Sequence, residues 1–473
     1  MAIRALGPGA FREPDLLTRS DLEIPTRQPL RAWYEAAAAA RTRRVNVLTI
    51  GDSITEGTTL ENQVYEAWPT LLGEAMSRAT GGQRGATGYV SAAYGNNTSA
   101  WTLSGSPVIR ISSSDYRGLG RRSLEITSTS SATYSFYGTN YSLYYTRTAG
   151  SGVMGISVDG GGVTSVSTIN AGGEINSARY VPAALSRGWH TITISRVSGG
   201  SVYLEGAAFW DADFAAGIAL WDGSHSGINS AFLVGSSDKE RWAAMLSSID
   251  PDLVIIALGT NDSSAAEVPG VYTPEIYGER IRSIITLIRA KAVLRNPSFI
   301  LLQQPQPPAI DATYWKRHMD ALQAVADSEP GVMTMDLRPV IPSGPASGST
   351  NLYNDSLHPS AQGARLYALE IARQLQILGS EPTPGPRILT GQDVVAWATT
   401  KIASDTTIIK FPPGFFSTAP TVLVGRGANA NAVPTANFYL GSTNTTQTAV
   451  VATSGASTAA GTTIPINWIA IGQ

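Results

Sequence analysis

Three short blocks in this chain carry residues able to attack a carbonyl together. Gly51-Asp52-Ser53-Ile54-Thr55-Glu56-Gly57 directly follows the β-branched apolar run Val45–Ile50. Its glycines allow a tight turn that would expose Ser53 at the end of a strand. A serine hydroxyl is a poor nucleophile at neutral pH and needs a base within hydrogen-bond reach. Asp355-Ser356-Leu357-His358-Pro359 offers one, with a carboxylate three residues away to hold the imidazole tautomer. Gly259-Thr260-Asn261-Asp262 closes the apolar run Leu253–Leu258, where an asparagine amide could donate to an oxyanion. Each block also has a plain reading: a turn capped by Ser53, a loop shaped by Asp355, a simple G-x-N-D turn.

The chain has four histidines. His190 falls inside an alternating strand pattern and His318 on a polar helix face, so both read as structural. His225, beside a Gly-rich strand end, could line a pocket and remains a rival to His358.

These blocks need a frame that brings their ends together. Strand-like runs recur at Gly217–Trp221, Leu253–Leu258, Phe299–Gln303 and Val332–Leu337. Helical patterns lie at Arg31–Arg43, Glu66–Ala79, Lys239–Ser248, Pro274–Arg295, Ala312–Ala326 and Ser360–Leu378. Strands alternating with helices predict a parallel sheet covered on both faces, an α/β domain. Residues 100–212 break the pattern with short alternating segments such as Tyr141–Tyr145, Gly155–Val158 and His190–Ile194, and are expected to be an inserted β-sandwich. Residues 380–386 read as a stiff Pro-rich linker, and 388–473 as a C-terminal all-β domain. Residues 1–42 read as an extended arm with one short helix.

Gly-Asp-Ser, Gly-x-Asn-Asp and Asp-x-x-His, in that order, resemble the signature blocks of the SGNH/GDSL hydrolase family. The resemblance covers Val45–Ser99 and Asp213–Gly379, which sets the discontinuous hydrolase domain at 43–99 and 213–379. It implies a flavodoxin-like, three-layer fold with about five parallel strands. It also implies Ser53 as nucleophile, His358 as general base and acid, and Asp355 as its orienter. The implied oxyanion donors are the Ser53 amide, Asn261 and a glycine amide. Gly227, in Gly217–Gly227, fits that glycine best, with Gly88 or Gly95 as the alternative. No metal or organic cofactor is expected.

With 473 residues, 43% apolar and 15% charged, the chain is long enough for about three domains. A net charge of -2 gives no general attraction to nucleic acid or an anionic membrane, and neither is expected as a partner. There is no cysteine, hence no disulfide or thiol nucleophile. No apolar run of signal or transmembrane length is present, and neither Sec export nor membrane insertion is expected.

The insertion carries Tyr134, Tyr137, Tyr141, Tyr144 and Tyr145 and resembles the carbohydrate-binding jelly rolls attached to SGNH esterases. The C-terminal unit, with Phe411, Phe415, Phe416 and Trp468 expected in its core, resembles lectin-like receptor-binding modules of phage tail fibres. A virion tail protein is therefore expected. It would be a homotrimer joined to other tail proteins through its arm, and would deacylate a cell-surface glycan during adsorption. The alternatives are a non-catalytic receptor-binding tail protein and a bacterial carbohydrate esterase unrelated to virions.

Overall fold

The computed structural model describes residues 28–79, 88–95, 99–110, 118–173, 175–211, 216–235, 243, 245–264, 273–292 and 294–375, together with the backbone of six strands between 387 and 472. The expected arm over the first 27 residues and the linker at 380–386 lie outside these, as does half of the helix expected at Lys239–Ser248.

Five strands form one parallel sheet. They are β1 (Arg44–Gly51), β2 (Gly217–Asp222), β3 (Leu253–Ala257), β4 (Ser298–Gln303) and β5 (Val332–Asp336), in the spatial order β2-β1-β3-β4-β5. The side chains of β3 explain why its sequence is apolar without alternation. Leu253, Ile255 and Ala257 enter the core on one face, and Val254 and Ile256 enter the core on the other. Both faces are covered, so no position can be polar.

Helices α1 (Arg31–Ala38), α3 (Trp68–Ala79) and α7 (Ala361–Gln374) cover the first face through Trp33, Trp68, Leu72, Tyr367 and Ile371. The short helix α2 (Ser53–Glu56) starts at the end of β1, and α4 (Thr260–Ser264) soon after the end of β3. Helices α5 (Pro274–Lys291) and α6 (Ala312–Ser328) cover the second face with Ile281, Ile285, Trp315 and Leu322. Local signals set their starts. Thr273 caps α5 ahead of Pro274, Asp311 accepts from Thr313 and Tyr314, and Ser360 caps α7 by accepting from Gly363.

Between β1 and β2 the chain builds two antiparallel sheets, of six and five strands, around one apolar core that includes Leu124, Phe136, Leu143, Ile156, Ile192 and Phe209. This region begins earlier than the sequence boundary at residue 100. Strand Gly88–Ser91 already pairs antiparallel with Val202–Trp210, the last strand of the region. Tyr89 and Tyr144 anchor it to the parallel sheet. The first stacks on Trp221 of β2 at 6.0 Å, and the second meets the same indole edge-on at 6.0 Å.

Past residue 386, two three-stranded antiparallel sheets are described. In one, Thr463–Gly472 lies between Arg387–Ala396 and Thr421–Arg426. In the other, Gln447–Thr453 lies between Asp405–Lys410 and Asn437–Thr443. Phe411, Phe415 and Phe416 lie outside the described residues.

Candidate active site

The strand order reverses at β1, with β2 on one side and β3 on the other, and open α/β sheets form their crevice beyond the carboxyl ends at such a point. Ser53 follows β1 there. Asp52, not Ser53, is the cap of α2: its Oδ1 accepts from the Ile54 amide at 3.0 Å, which leaves the Ser53 hydroxyl free for other work. Gly51 is needed for this bend, because a Cβ in its place would stand 2.0 Å from the Thr55 hydroxyl oxygen.

His358 reaches Ser53 from the far end of the chain. Its Nε2 lies 2.9 Å from Ser53 Oγ, and its Nδ1 lies 2.8 Å from Asp355 Oδ2. With the carboxylate accepting at Nδ1, that nitrogen carries the proton and Nε2 is left to accept from the serine. The other oxygen of Asp355 accepts the backbone amides of Leu357 (2.7 Å) and His358 (2.6 Å). Partial burial works against ionisation, but the amide and imidazole of His358 and the amide of Leu357 hold the carboxyl below its ordinary value. The loop is closed by Asn354 N–H to the His358 carbonyl at 2.9 Å and by Ser360 N–H to the Leu352 carbonyl at 2.9 Å.

Asn261, on α4, donates from Nδ2 to the Ile228 carbonyl at 2.9 Å. The amide has two hydrogens, so one remains. Ile228 closes the turn that holds Gly227. In that turn Ile228 N–H donates to the His225 carbonyl (3.2 Å), and Gly227 takes φ +79°, the left-handed conformation required at the third position of a type II turn. Gly223 N–H to the Thr49 carbonyl (2.8 Å) and His225 N–H to the Gly51 carbonyl (2.9 Å) dock the segment against the end of β1, beside Ser53. Gly95, the alternative, spends its amide on Glu56 Oε1 at 2.7 Å, and Gly88 lies at the start of the strand paired with Val202–Trp210.

The other histidines are engaged elsewhere. His225 donates from Nδ1 to the Gly120 carbonyl at 2.6 Å, and burial together with the Arg122 charge pushes its pKa down to about 4, so the ring is neutral. His190 bridges Asp159 and the Ser186 carbonyl, and His318 packs against Tyr277 and Tyr314. Among the described residues no group of three or more His, Asp or Glu could hold a metal ion.

Residues 195–366 match the GDSL-like Lipase/Acylhydrolase family, a stretch that contains Gly227, Asn261, Asp355 and His358 and stops short of the Ser53 block. No curated protein matches the sequence. Among solved structures, one titled "Peptidoglycan O-acetylesterase in action" aligns with a TM-score of 0.55 at 16% identity, covering 74% of this chain and 96% of its own. A family two carbohydrate esterase from Clostridium thermocellum, in complex with cellohexaose, aligns with a TM-score of 0.28 at 15% identity over 57% of this chain and 100% of its own. Over residues 195–366 the chain is thus similar to GDSL-like acylhydrolases, and it shares the fold of the O-acetylesterase structure.

Proposed function

We propose that this protein removes acyl groups, acetyl foremost, from a bacterial cell-surface glycan, with Ser53 as the nucleophile. The observation that carries the reading is the continuous relay Ser53 Oγ, His358 Nε2, His358 Nδ1, Asp355 Oδ2, with links of 2.9 and 2.8 Å. In the forward step Ser53 Oγ bonds to the ester carbonyl carbon while its proton passes to His358 Nε2. The oxyanion is received by the amides of Ser53 and Gly227 and the remaining hydrogen of Asn261 Nδ2. His358 then protonates the departing sugar oxygen, and water, deprotonated by the same imidazole, releases the acid.

The glycan part of the reading draws on the shared fold with a peptidoglycan O-acetylesterase and on the surface of the region between β1 and β2. We read that region as a β-sandwich module that holds the glycan. Tyr141, Tyr144 and Tyr145 are buried there and Tyr134 stacks on Phe209 at 4.9 Å, whereas Tyr137 is 47% exposed. It faces Trp189, 42% exposed, across a strand pair at 5.7 Å. The two exposed rings, set edge to face with their planes 68° apart, offer apolar surface against which a sugar can pack. The likeness of the C-terminal sequence to phage tail-fibre modules supports a reaction at the tail of a virion during adsorption. There a homotrimer anchored by its N-terminal arm would gain avidity from several weak glycan sites.

The test is to incubate the protein with acetylated cell-wall glycans and identify the released acid by mass spectrometry, with Ser53→Ala as control. Acetate released by the parent protein and not by the variant supports the reading. Equal release by both would remove Ser53 from the reaction.

A further inference from the structure

Glu56, the last residue of α2 and three after Ser53, is a buried carboxylate, 2% exposed. Its oxygens are fully committed. Oε1 accepts the Gly95 amide at 2.7 Å and the Arg122 guanidinium, and Oε2 accepts the Ser226 amide at 2.8 Å. Arg122 is equally buried and belongs to the region between β1 and β2. The same loop, 118–122, touches the glycine turn at two more places. Gly120 supplies the carbonyl that receives His225 Nδ1, and the Leu119 side chain lies against Gly223.

Of the four amides in the turn 225–228, three donate within the protein: His225 to Gly51, Ser226 to Glu56 and Ile228 to His225. The fourth, of Gly227, has no acceptor among the described residues. The central peptide of such a turn is the unit able to flip between its two common forms, and only one of them aims the Gly227 N–H in a given direction. Fixing the amide just before it therefore fixes the donor.

Resting on the ester-hydrolase reading above, we propose that Glu56 and Arg122 are positioning residues for the oxyanion hole. The inserted region is on this view part of the catalytic centre, reaching it through Arg122. An oxyanion donor displaced by about an ångström still admits substrate but stabilises the transition state less.

The test compares the parent protein with Glu56→Gln, Arg122→Met and the double variant on p-nitrophenyl acetate, alongside covalent labelling of Ser53 and circular dichroism. The double variant removes both charges together, so neither is left buried and alone, and it is the one expected to keep its fold. The expected result is a loss in kcat of roughly 10- to 100-fold with KM within about twofold, and a double variant no worse than the worse single one. Affinity for a boronic acid analogue of the tetrahedral intermediate should fall in the same proportion. Unchanged kcat in the folded double variant overturns the proposal, as does a loss that lies in KM. A parent protein that neither turns over nor labels at Ser53 would instead overturn the reading of the site itself.

Discussion

Asn354 donates its side-chain amide to the Thr59 carbonyl at 2.9 Å and to the Thr59 hydroxyl at 3.2 Å. The loop that holds His358 is thereby tied to the segment just after the Ser53 helix, although 295 residues separate the two. A net hydrogen bond of this kind is worth about 0.5–1.5 kcal/mol, less where water competes, as it does here. Asn354→Ala should therefore lower kcat by roughly two- to tenfold and leave the melting temperature nearly unchanged. A variant with full kcat would show that the loop holds His358 without this tie.

The relay and the oxyanion donors make separable predictions. Ser53→Ala should abolish turnover of p-nitrophenyl acetate, and His358→Ala should cost about 10²- to 10⁴-fold in kcat. Asn261→Ala should cost about 10²- to 10³-fold in kcat with KM little changed, because the donor acts on charge that appears only in the transition state. An Asn261→Ala variant altered mainly in KM would assign that amide to substrate binding.

Asp52 sets a dependence of stability on pH. Burial pushes its carboxyl up to about 6 from an ordinary 3.8, against the lowering effect of the Ile54 amide and the Thr260 hydroxyl. The folded state thus keeps a proton that the unfolded chain releases. The stability from that proton is complete below about 3.8 and is lost as pH rises through about 6, by about 1.4 kcal/mol for each pH step of one between those two values. Asp52→Asn keeps an acceptor for the Ile54 amide and removes the titration. Thermal melts at about pH 4.5 and about pH 8 should show the variant gaining on the parent at the higher pH. A gap between the two that does not change with pH would contradict this account of Asp52.

The exposed ring pair predicts a variant defective in binding alone. Tyr137→Ala combined with Trp189→Ala should weaken retention on an acetylated cell-wall glycan column while leaving p-nitrophenyl acetate turnover within about twofold. Undiminished retention would free these rings from any role with sugar.

Much of this arrangement is legible in the residues alone, for a physical reason. A strand buried on both faces must be apolar throughout, so the runs at Val45–Ile50, Leu253–Leu258 and Phe299–Gln303 stand out and lie within a residue of the observed strands. The site blocks can be read because the chemistry restricts residue type: hydroxyl, imidazole, carboxylate, amide. What cannot be read depends on contacts without a local pattern. A charged residue such as Glu56 at the end of a short helix has the appearance of a solvated side chain, and its partner lies 66 positions away. The early start of the inserted region escapes for the same reason, since Gly88–Ser91 is too short to announce the strand it joins. Trp189 stands in an alternating strand in which only its exposed pairing with Tyr137 sets it apart.

Gly88–Ser91 and Val202–Trp210, the opening and closing strands of the inserted region, run side by side. The polypeptide thus departs from the parallel-sheet frame and returns to it at almost one point, as a side loop of any length would. A unit with that geometry can be acquired by recombination without stretching its host. In an engineer's hands the same doorway would accept a different module, provided the replacement brought its own cation to meet the carboxylate at position 56.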